Sequence, residues 1–419
     1  MTSELLEREA VEPAAERATA VFTGIGVTAP NGLGTEAWWR ATLAGENGIA
    51  TITRFDPASY PSRLAGEVPG FVASEHIPSR LLPQTDPMTR LALTAAKEAV
   101  TDAGVDPAEM PDFSAGTVTA ASAGGFEFGQ RELEALWSKG GQYVSAYQSF
   151  AWFYAVNTGQ ISIRHGLRGP SGVLVTEQAG GLDAVGQARR QIRRGSRLIV
   201  SGGVDGAICP WGWTALLAGG RLSPVNDPAR AYLPFDTAAS GYVPGEGGAI
   251  LVLEDEQAAR ERGARIYGAL SGYAATFDPA PGVAGLPGLQ RAAELALADA
   301  GVTAEQVDVV FADASGVPGL DREEADAITR LFGARGVPVT APKTMTGRLS
   351  AGGAALDLAA ALLSLRDGVI PPTTNVGDPA EGIDLDLVTE ARRQPVRTAL
   401  VLARGYGGFN AAAVVTAGH

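Results

Sequence analysis

Val173-Leu-Val-Thr-Glu-Gln-Ala-Gly-Gly-Leu-Asp-Ala-Val-Gly186 is the stretch that decides how this chain folds. Val173, Leu174 and Val175 predict a buried strand. The two glycines that follow, with Leu182, Ala184 and Val185 behind them, predict a sharp break into a helix. A turn of this kind presents a reactive side chain at a helix N-terminus. A cysteine there would have its thiolate stabilised and could carry an acyl group as a thioester. Gln178 occupies the position instead. Its amide donates and accepts hydrogen bonds but forms no acyl-enzyme. The chain keeps the architecture of a nucleophile site without the nucleophile.

Working outward, the same order of elements occurs twice. The first half opens on the small-residue strand Ala20 to Val27 and the second on Ile266 to Tyr273. A helix and a buried strand with a glycine-rich exit come next, Leu91 to Ala103 then Gly116 to Gly125, and again Gly288 to Ala300 then Val307 to Gly316. The turn at Gln178 pairs with Val337 to Lys343 and a helix from Gly352 to Leu365. Arg197 to Gly206 pairs with Thr398 to Asn410. Apolar strands alternating with amphipathic helices imply an α/β fold of two stacked βαβ-type halves, with helices between and outside them. The halves are expected at 19–260 and 261–419, behind a flexible acidic tail at 1–18. Residues 125–169, with Trp137, Tyr143, Tyr147, Phe150, Trp152, Phe153 and Tyr154, have no counterpart in the second half. This insertion is expected to cap the core or to form a subunit interface.

With 419 residues, 45% of them hydrophobic, the chain can bury a large core, and its 54 glycines suit many tight strand-to-helix turns. Cys209 is the single cysteine, and His76, His165 and His419 show no ligand spacing, so neither a disulfide framework nor a metal site is expected. Cys209 precedes a proline with no histidine nearby, which suits a small buried hydrophobe better than a displaced nucleophile. No apolar run approaches the ~20 residues of a membrane span. Glu4, Glu7, Glu9 and Glu12 stand where a signal peptide would be basic. A cytoplasmic setting follows. The net charge of −13 argues against nucleic acid or an anionic membrane as partner. Arg189, Arg190, Arg193, Arg194 and Arg197 form a local exception, read either as a solvated helix end or as a dock for an acidic carrier protein.

Gly169-Pro170, Gly181-Leu-Asp-Ala184, Pro234-Phe-Asp236, Gly245-Glu-Gly-Gly248, Lys343 and Gly405-Tyr-Gly-Gly-Phe-Asn410 stand in one order over nearly all of residues 20 to 415. In that order the chain resembles the β-ketoacyl synthases of the thiolase superfamily, which implies a thiolase-like fold in αβαβα layers. Active members use a cysteine and two histidines. The resemblance places Gln178 at the cysteine, Asp313 of Phe311-Ala-Asp-Ala-Ser-Gly-Val-Pro318 at the first histidine and Arg348 of Thr344-Met-Thr-Gly-Arg-Leu349 at the second. Claisen condensation needs a thioester electrophile and neutral donors for the enolate oxygen. An aspartate would oppose that charge, and an arginine is a poor proton donor near neutrality. Asp313 and Arg348 either pair with one another across the vacated site or stand apart.

These three replacements resemble the chain length factors, or ketosynthase β-subunits, of bacterial aromatic type II polyketide synthases. The resemblance implies a heterodimer, or a higher assembly, with a catalytic ketosynthase α-subunit. A poly-β-ketone would grow in a tunnel at the interface, carried on the phosphopantetheine of an acyl carrier protein, with no cofactor of the chain's own. It also places Phe126, Gly129 and Leu133 at the closed end of the tunnel, on one face of a helix. Gly129 and Leu133 are modest in size, which implies a decaketide or longer product, unless Gly129 serves only close packing. Tyr147, Phe150, Trp152 and Phe153 are the expected interface residues. Gln178 either fills the old site as a hydrogen-bonded residue or assists priming. Two further readings are a glutamine-type malonyl decarboxylase, in which both histidines would be kept, and a purely structural scaffold.

Overall fold

The computed structural model describes residues 18–280 and 287–418. Apart from Ala18, the expected acidic tail lies outside them. The principal elements in chain order are β1 (Ala20–Ala29), α1 (Pro87–Ala103), β2 (Ala115–Ala120), α2 (Phe126–Lys139), α3 (Val156–His165), β3 (Ser171–Leu174), α4 (Gly180–Ile192), β4 (Leu198–Asp205), α5 (Pro210–Ala218) and β5 (Gly247–Asp255). The second half holds β6 (Gly268–Phe277), α6 (Gly288–Ala300), β7 (Val309–Phe311), α7 (Pro318–Phe332), β8 (Pro338–Thr340), α8 (Ala351–Asp367), β9 (Thr398–Arg404) and β10 (Phe409–Thr416).

The internal duplication appears in the strand order. The first half runs β3-β2-β4-β5-β1 and the second β8-β7-β9-β10-β6. The first three strands of each half pair in parallel and the last three antiparallel. The two halves are also joined through the sheet. β1 also pairs with β6 at Val21↔Ala269 and Phe22↔Gly268, so the hydrogen-bonded ladder runs on from one half into the other. It still encloses a helical layer, because α4 packs on β4 and β2 of one half and on β6 and β10 of the other, and α8 packs on β4, β5 and β9. Outside, α1 covers β1 and β5, and α6 covers β6 and β10.

Composition explains why α8 is the central helix. It is apolar nearly all round, and Ala351 through Ser364 are buried without interruption. Burying each of Leu358, Leu362 and Leu363 contributes roughly 1.5–3 kcal/mol. Its close neighbour is α4, where a Cβ at Gly181 would stand 2.5 Å from the Ala355 nitrogen, so only glycine allows the two backbones to meet. Each outer helix closes on a glycine in the left-handed region, Gly104 after α1 and Gly301 after α6.

Two local expectations change. β3 is not a buried strand: Ser171 is exposed and Gly172 to Leu174 are half-buried, since β3 pairs only with β2 and forms the edge of the sheet. Arg189 is not on a solvated face. It is buried, paired with Asp299, and donates to the Ser271 carbonyl at 2.8 Å. Arg190, Arg194 and Arg197 are exposed.

Candidate functional site

The segment after β3 leaves extended geometry at Glu177, whose φ of 51° is unusual for a residue with a side chain. Ala314, beside Asp313, and Ser350, two residues past Arg348, have φ of 47° and 48°. Each such residue costs on the order of 1 kcal/mol, and strain of this kind collects where a site fixes side-chain directions. Here it flanks all three degenerate positions.

Asp313 and Arg348 are both buried and face each other. The two terminal nitrogens of Arg348 each donate to a carboxylate oxygen of Asp313 at 3.1 Å, and they also reach the Asp313 and Arg404 carbonyls at 2.9 and 3.0 Å. Asp313 accepts the Arg404 amide as well, at 2.9 Å. Burial alone would push the Asp313 carboxyl up, but Arg348, Lys343 and Arg404 outweigh it and hold it below the usual carboxylate range. Burial likewise works against the Arg348 charge, and Asp313 overcomes it, holding the guanidinium above its ordinary value. With both terminal nitrogens occupied, Arg348 has no fork left for an enolate oxygen. The pairing is therefore present.

Behind this pair, the Glu324 carboxylate accepts the Asp313 and Ala314 amides at 2.7 Å each. Burial, with Asp313 nearby, pushes Glu324 up to about 7. Lys343 is tied away from open space, donating to the Ala312 carbonyl and pairing with Asp357 of α8 at 2.7 Å. Gln178 is fully buried against Gly353 of α8. Neither of its amide heteroatoms has a hydrogen-bond partner among the described residues, so a hydrogen-bonded filler is not what the geometry presents.

A cavity of about 440 Å³ opens in front of the pair, and its lining is mostly apolar. Glu177, Asp205, Asp313, Arg221, Arg348 and Arg404 contribute its charged groups, and Tyr242 and Tyr406 contribute aromatic ones. Gly212, Ala215, Leu216 and Gly219 of α5 and the turn after it form an apolar wall, and Phe126 also lines it. The Arg221 guanidinium lies 4.7 Å from the Tyr406 ring centre, and that of Arg348 lies 5.5 Å from Tyr242. Burial raises the Glu177 carboxyl above its ordinary value although Arg348 pulls it down. Glu177, Arg221, Tyr242 and Tyr406 escaped the sequence reading. Glu177 stands next to Gln178, and Tyr406 lies inside the quoted glycine motif, so a signal existed for those two.

Of the three expected gate residues, the cavity meets Phe126 but not Gly129 or Leu133. Gly129 is covered from within the chain, where an added Cβ would stand 2.6 Å from Trp152 and 3.0 Å from Trp211. Trp211 stacks near Trp152 at 6.3 Å and near Phe126 at 4.7 Å. Close packing is therefore the visible role of Gly129. Trp152, expected at an interface, serves this cluster while remaining 44% exposed.

Tyr147, Phe153, Tyr154, Ile163 and Val175 are exposed too, and Phe150 is half-buried. Thr158 of α3 reaches the Gly172 carbonyl of β3 at 3.3 Å. Cys209 is buried, its thiol pushed up to about 11 by desolvation, which makes it a poor nucleophile even at the N-terminus of α5. Among the described residues no helix is long and apolar enough to cross a membrane.

The family model of the β-ketoacyl synthase N-terminal domain matches residues 18–259, and that of the C-terminal domain matches residues 267–377. The chain is 61% identical over 399 residues to a protein of Streptomyces coelicolor named as the actinorhodin polyketide β-ketoacyl synthase 2, covering 95% of this chain and 98% of that one. It is 59% identical over 401 residues to the tetracenomycin polyketide synthase ketoacyl synthase beta subunit of Streptomyces glaucescens, with the same coverage. Among solved structures, the ishigamide ketosynthase/chain length factor superposes with a TM-score of 0.86 at 30% identity, covering 96% of this chain and all of that one. A type II acyl-carrier protein in complex with its ketosynthase bound to the hexaketide gives the same score and coverage at 26% identity. The chain therefore belongs to the β-ketoacyl synthase family, among the ketosynthase β-subunits, or chain length factors, of type II polyketide synthases.

Proposed function

We propose that this chain is the non-condensing subunit of a minimal type II polyketide synthase. It pairs with a catalytic ketosynthase in the cytoplasm, walls the tunnel in which the poly-β-ketone grows, and sets the length of that chain. The Asp313–Arg348 ion pair carries the reading. It fills the place of the enolate machinery with mutually neutralised charge, while Gln178 removes the acyl carrier. A chain unable to load or condense retains function only through what it shapes and what it binds. Substrates arrive on the phosphopantetheine of an acyl carrier protein. A secondary part for Gln178 in priming would require its amide, unpartnered but fully buried and outside the cavity lining, to become accessible to substrate. An independent decarboxylase is disfavoured by the same ion pair, since that chemistry keeps both histidines.

Reconstitution tests the main claim. This chain with acyl carrier protein and malonyl donor should yield no polyketide, and adding the catalytic ketosynthase should restore it. Polyketide from this chain alone would end the proposal.

Chain length is assigned to the face of α2 that bears Phe126, Gly129 and Leu133; of the three only Phe126 meets the cavity, and the expectation of a decaketide or longer product rests on the modest size of the other two. Leu133→Phe is expected to shorten the product, and Phe126→Ala to move it longer. Gly129→Thr should shorten it if the ring that must yield is Trp211, which packs on Phe126, since an added Cβ would stand 2.6 Å from Trp152 and 3.0 Å from Trp211. Product masses from the reconstituted complex decide the matter. Changed yield at constant length would favour a purely structural scaffold.

A further inference from the structure

The first turn of α2 lacks a cap of its own. Gly125 stands at its N-cap with no side chain to offer, leaving the first backbone N–H groups without an intrahelical acceptor. One of them is satisfied from another element. Asp86, the N-cap of α1, accepts the Met88 amide with Oδ1 at 2.9 Å and the Phe128 amide with Oδ2, also at 2.9 Å. A single carboxylate thus caps two helices. The junction is cut to fit it, because a Cβ on Gly125 would stand 2.8 Å from the Asp86 Cβ. Asp86 is buried, which pushes its carboxyl up to about 6, so at neutral pH it is ionised and can accept both bonds. Further along α2, Gln130 accepts the Trp211 amide of α5 at 2.9 Å. Phe126, which lines the cavity, opens the helix two residues before the first of these ties.

We propose that Asp86 is a positioning residue for chain length: it fixes the first turn of α2, and with it Phe126, at the depth that ends the cavity. It touches no substrate and acts through the helix. This rests on the assignment of chain length to α2.

The reconstituted heterodimer provides the test. Asp86→Ser keeps a good cap for α1 but is too short to reach Phe128. Asp86→Asn keeps the shape and the Met88 bond but turns an amide N–H against the Phe128 N–H. Loss of a charge-assisted hydrogen bond that fixes Phe126 should change the ratio of the main product to its neighbours in length by about tenfold in both variants. Asp255→Ala removes the cap from the distant helix Glu256–Glu261 and serves as the stability control. It should lower the melting temperature comparably and leave the ratio unchanged. A merely structural Asp86 would behave like this control, with yield reduced at constant ratio, and that result would overturn the proposal. Phe126→Ala in the same assay separates the two ideas. If it shifts length while both Asp86 variants do not, the clamp is wrong and the gate stands; if none of the three shifts length, the gate assignment falls and the clamp falls with it.

Discussion

Arg348→Ala is expected to lower the unfolding free energy of this subunit by about 3–5 kcal/mol, because it leaves Asp313 charged and buried without its main partner. The loss exceeds that of a surface ion pair, which is typically ~1 kcal/mol or less. Both terminal nitrogens are engaged, and the same guanidinium holds the carbonyl of Arg404 just before the turn at residues 405–408. Two further results follow from the physics. Asp313→Leu combined with Arg348→Met should recover much of the loss, since a well-packed apolar pair avoids the desolvation penalty of both charges. The pH dependence should also reverse. With Arg348 present the folded pKa of Asp313 is depressed, so its stabilisation is complete above the unfolded aspartate value of about 3.9 and is lost as pH falls through the folded pKa. Without Arg348, burial is no longer outweighed and the folded pKa rises. The folded variant then binds more protons than the unfolded chain, and its stability declines as pH climbs above ~4. Denaturant titration of the heterodimer at several pH values measures both effects, and an unchanged midpoint for Arg348→Ala would refute the ion pair.

Features that depend on local pattern were legible in the sequence. The α6 helix runs from Gly288 to Ala300 as its periodicity predicts, and the duplicated order of strands and helices is found again as one strand order used twice. Motif order likewise singled out Gln178, Asp313 and Arg348, and the last two are found paired. What it could not give is the approach of distant segments. Asp313 and Arg348 come from loops after β7 and after β8, and their facing geometry depends on how those strands register. Gly129 sits on the expected helix face, but the rings that cover it come from residues 152 and 211, far away in sequence. β3 failed for another reason. Val173-Leu174-Val175 has the composition of a core strand, and composition records that a surface is covered without recording which chain covers it.

That failure points to the second large expected effect. A strand at a sheet edge exposes unpaired backbone groups, and soluble proteins usually blunt such an edge with charge, proline or a covering element. β3 itself, Ser171–Leu174, carries neither charge nor proline. A Cβ on Gly172 would meet nothing within 4 Å, and Val175, just past the end of β3, is 45% exposed. An open edge on a chain that also exposes Tyr147, Trp152, Phe153, Tyr154 and Ile163 suits a permanent partner, here the catalytic ketosynthase. Gly172→Lys and Val175→Glu should therefore leave the fold of this chain within about 0.5 kcal/mol of its original stability, since both side chains point into open space. In the complex, the same charges would be buried unpaired at the centre of the contact, where single substitutions commonly cost 2 kcal/mol or more, roughly a thirtyfold loss of affinity each. Together they should abolish both co-purification with the ketosynthase and polyketide output. Leu295→Lys on the outer helix α6, also an exposed apolar position, provides the control and should alter neither. Retained assembly with Gly172→Lys and Val175→Glu in place would mean that the partner docks elsewhere. The aromatic segment from Tyr147 to Tyr154 would then have to be explained by the wall it builds around Gly129 and Phe126.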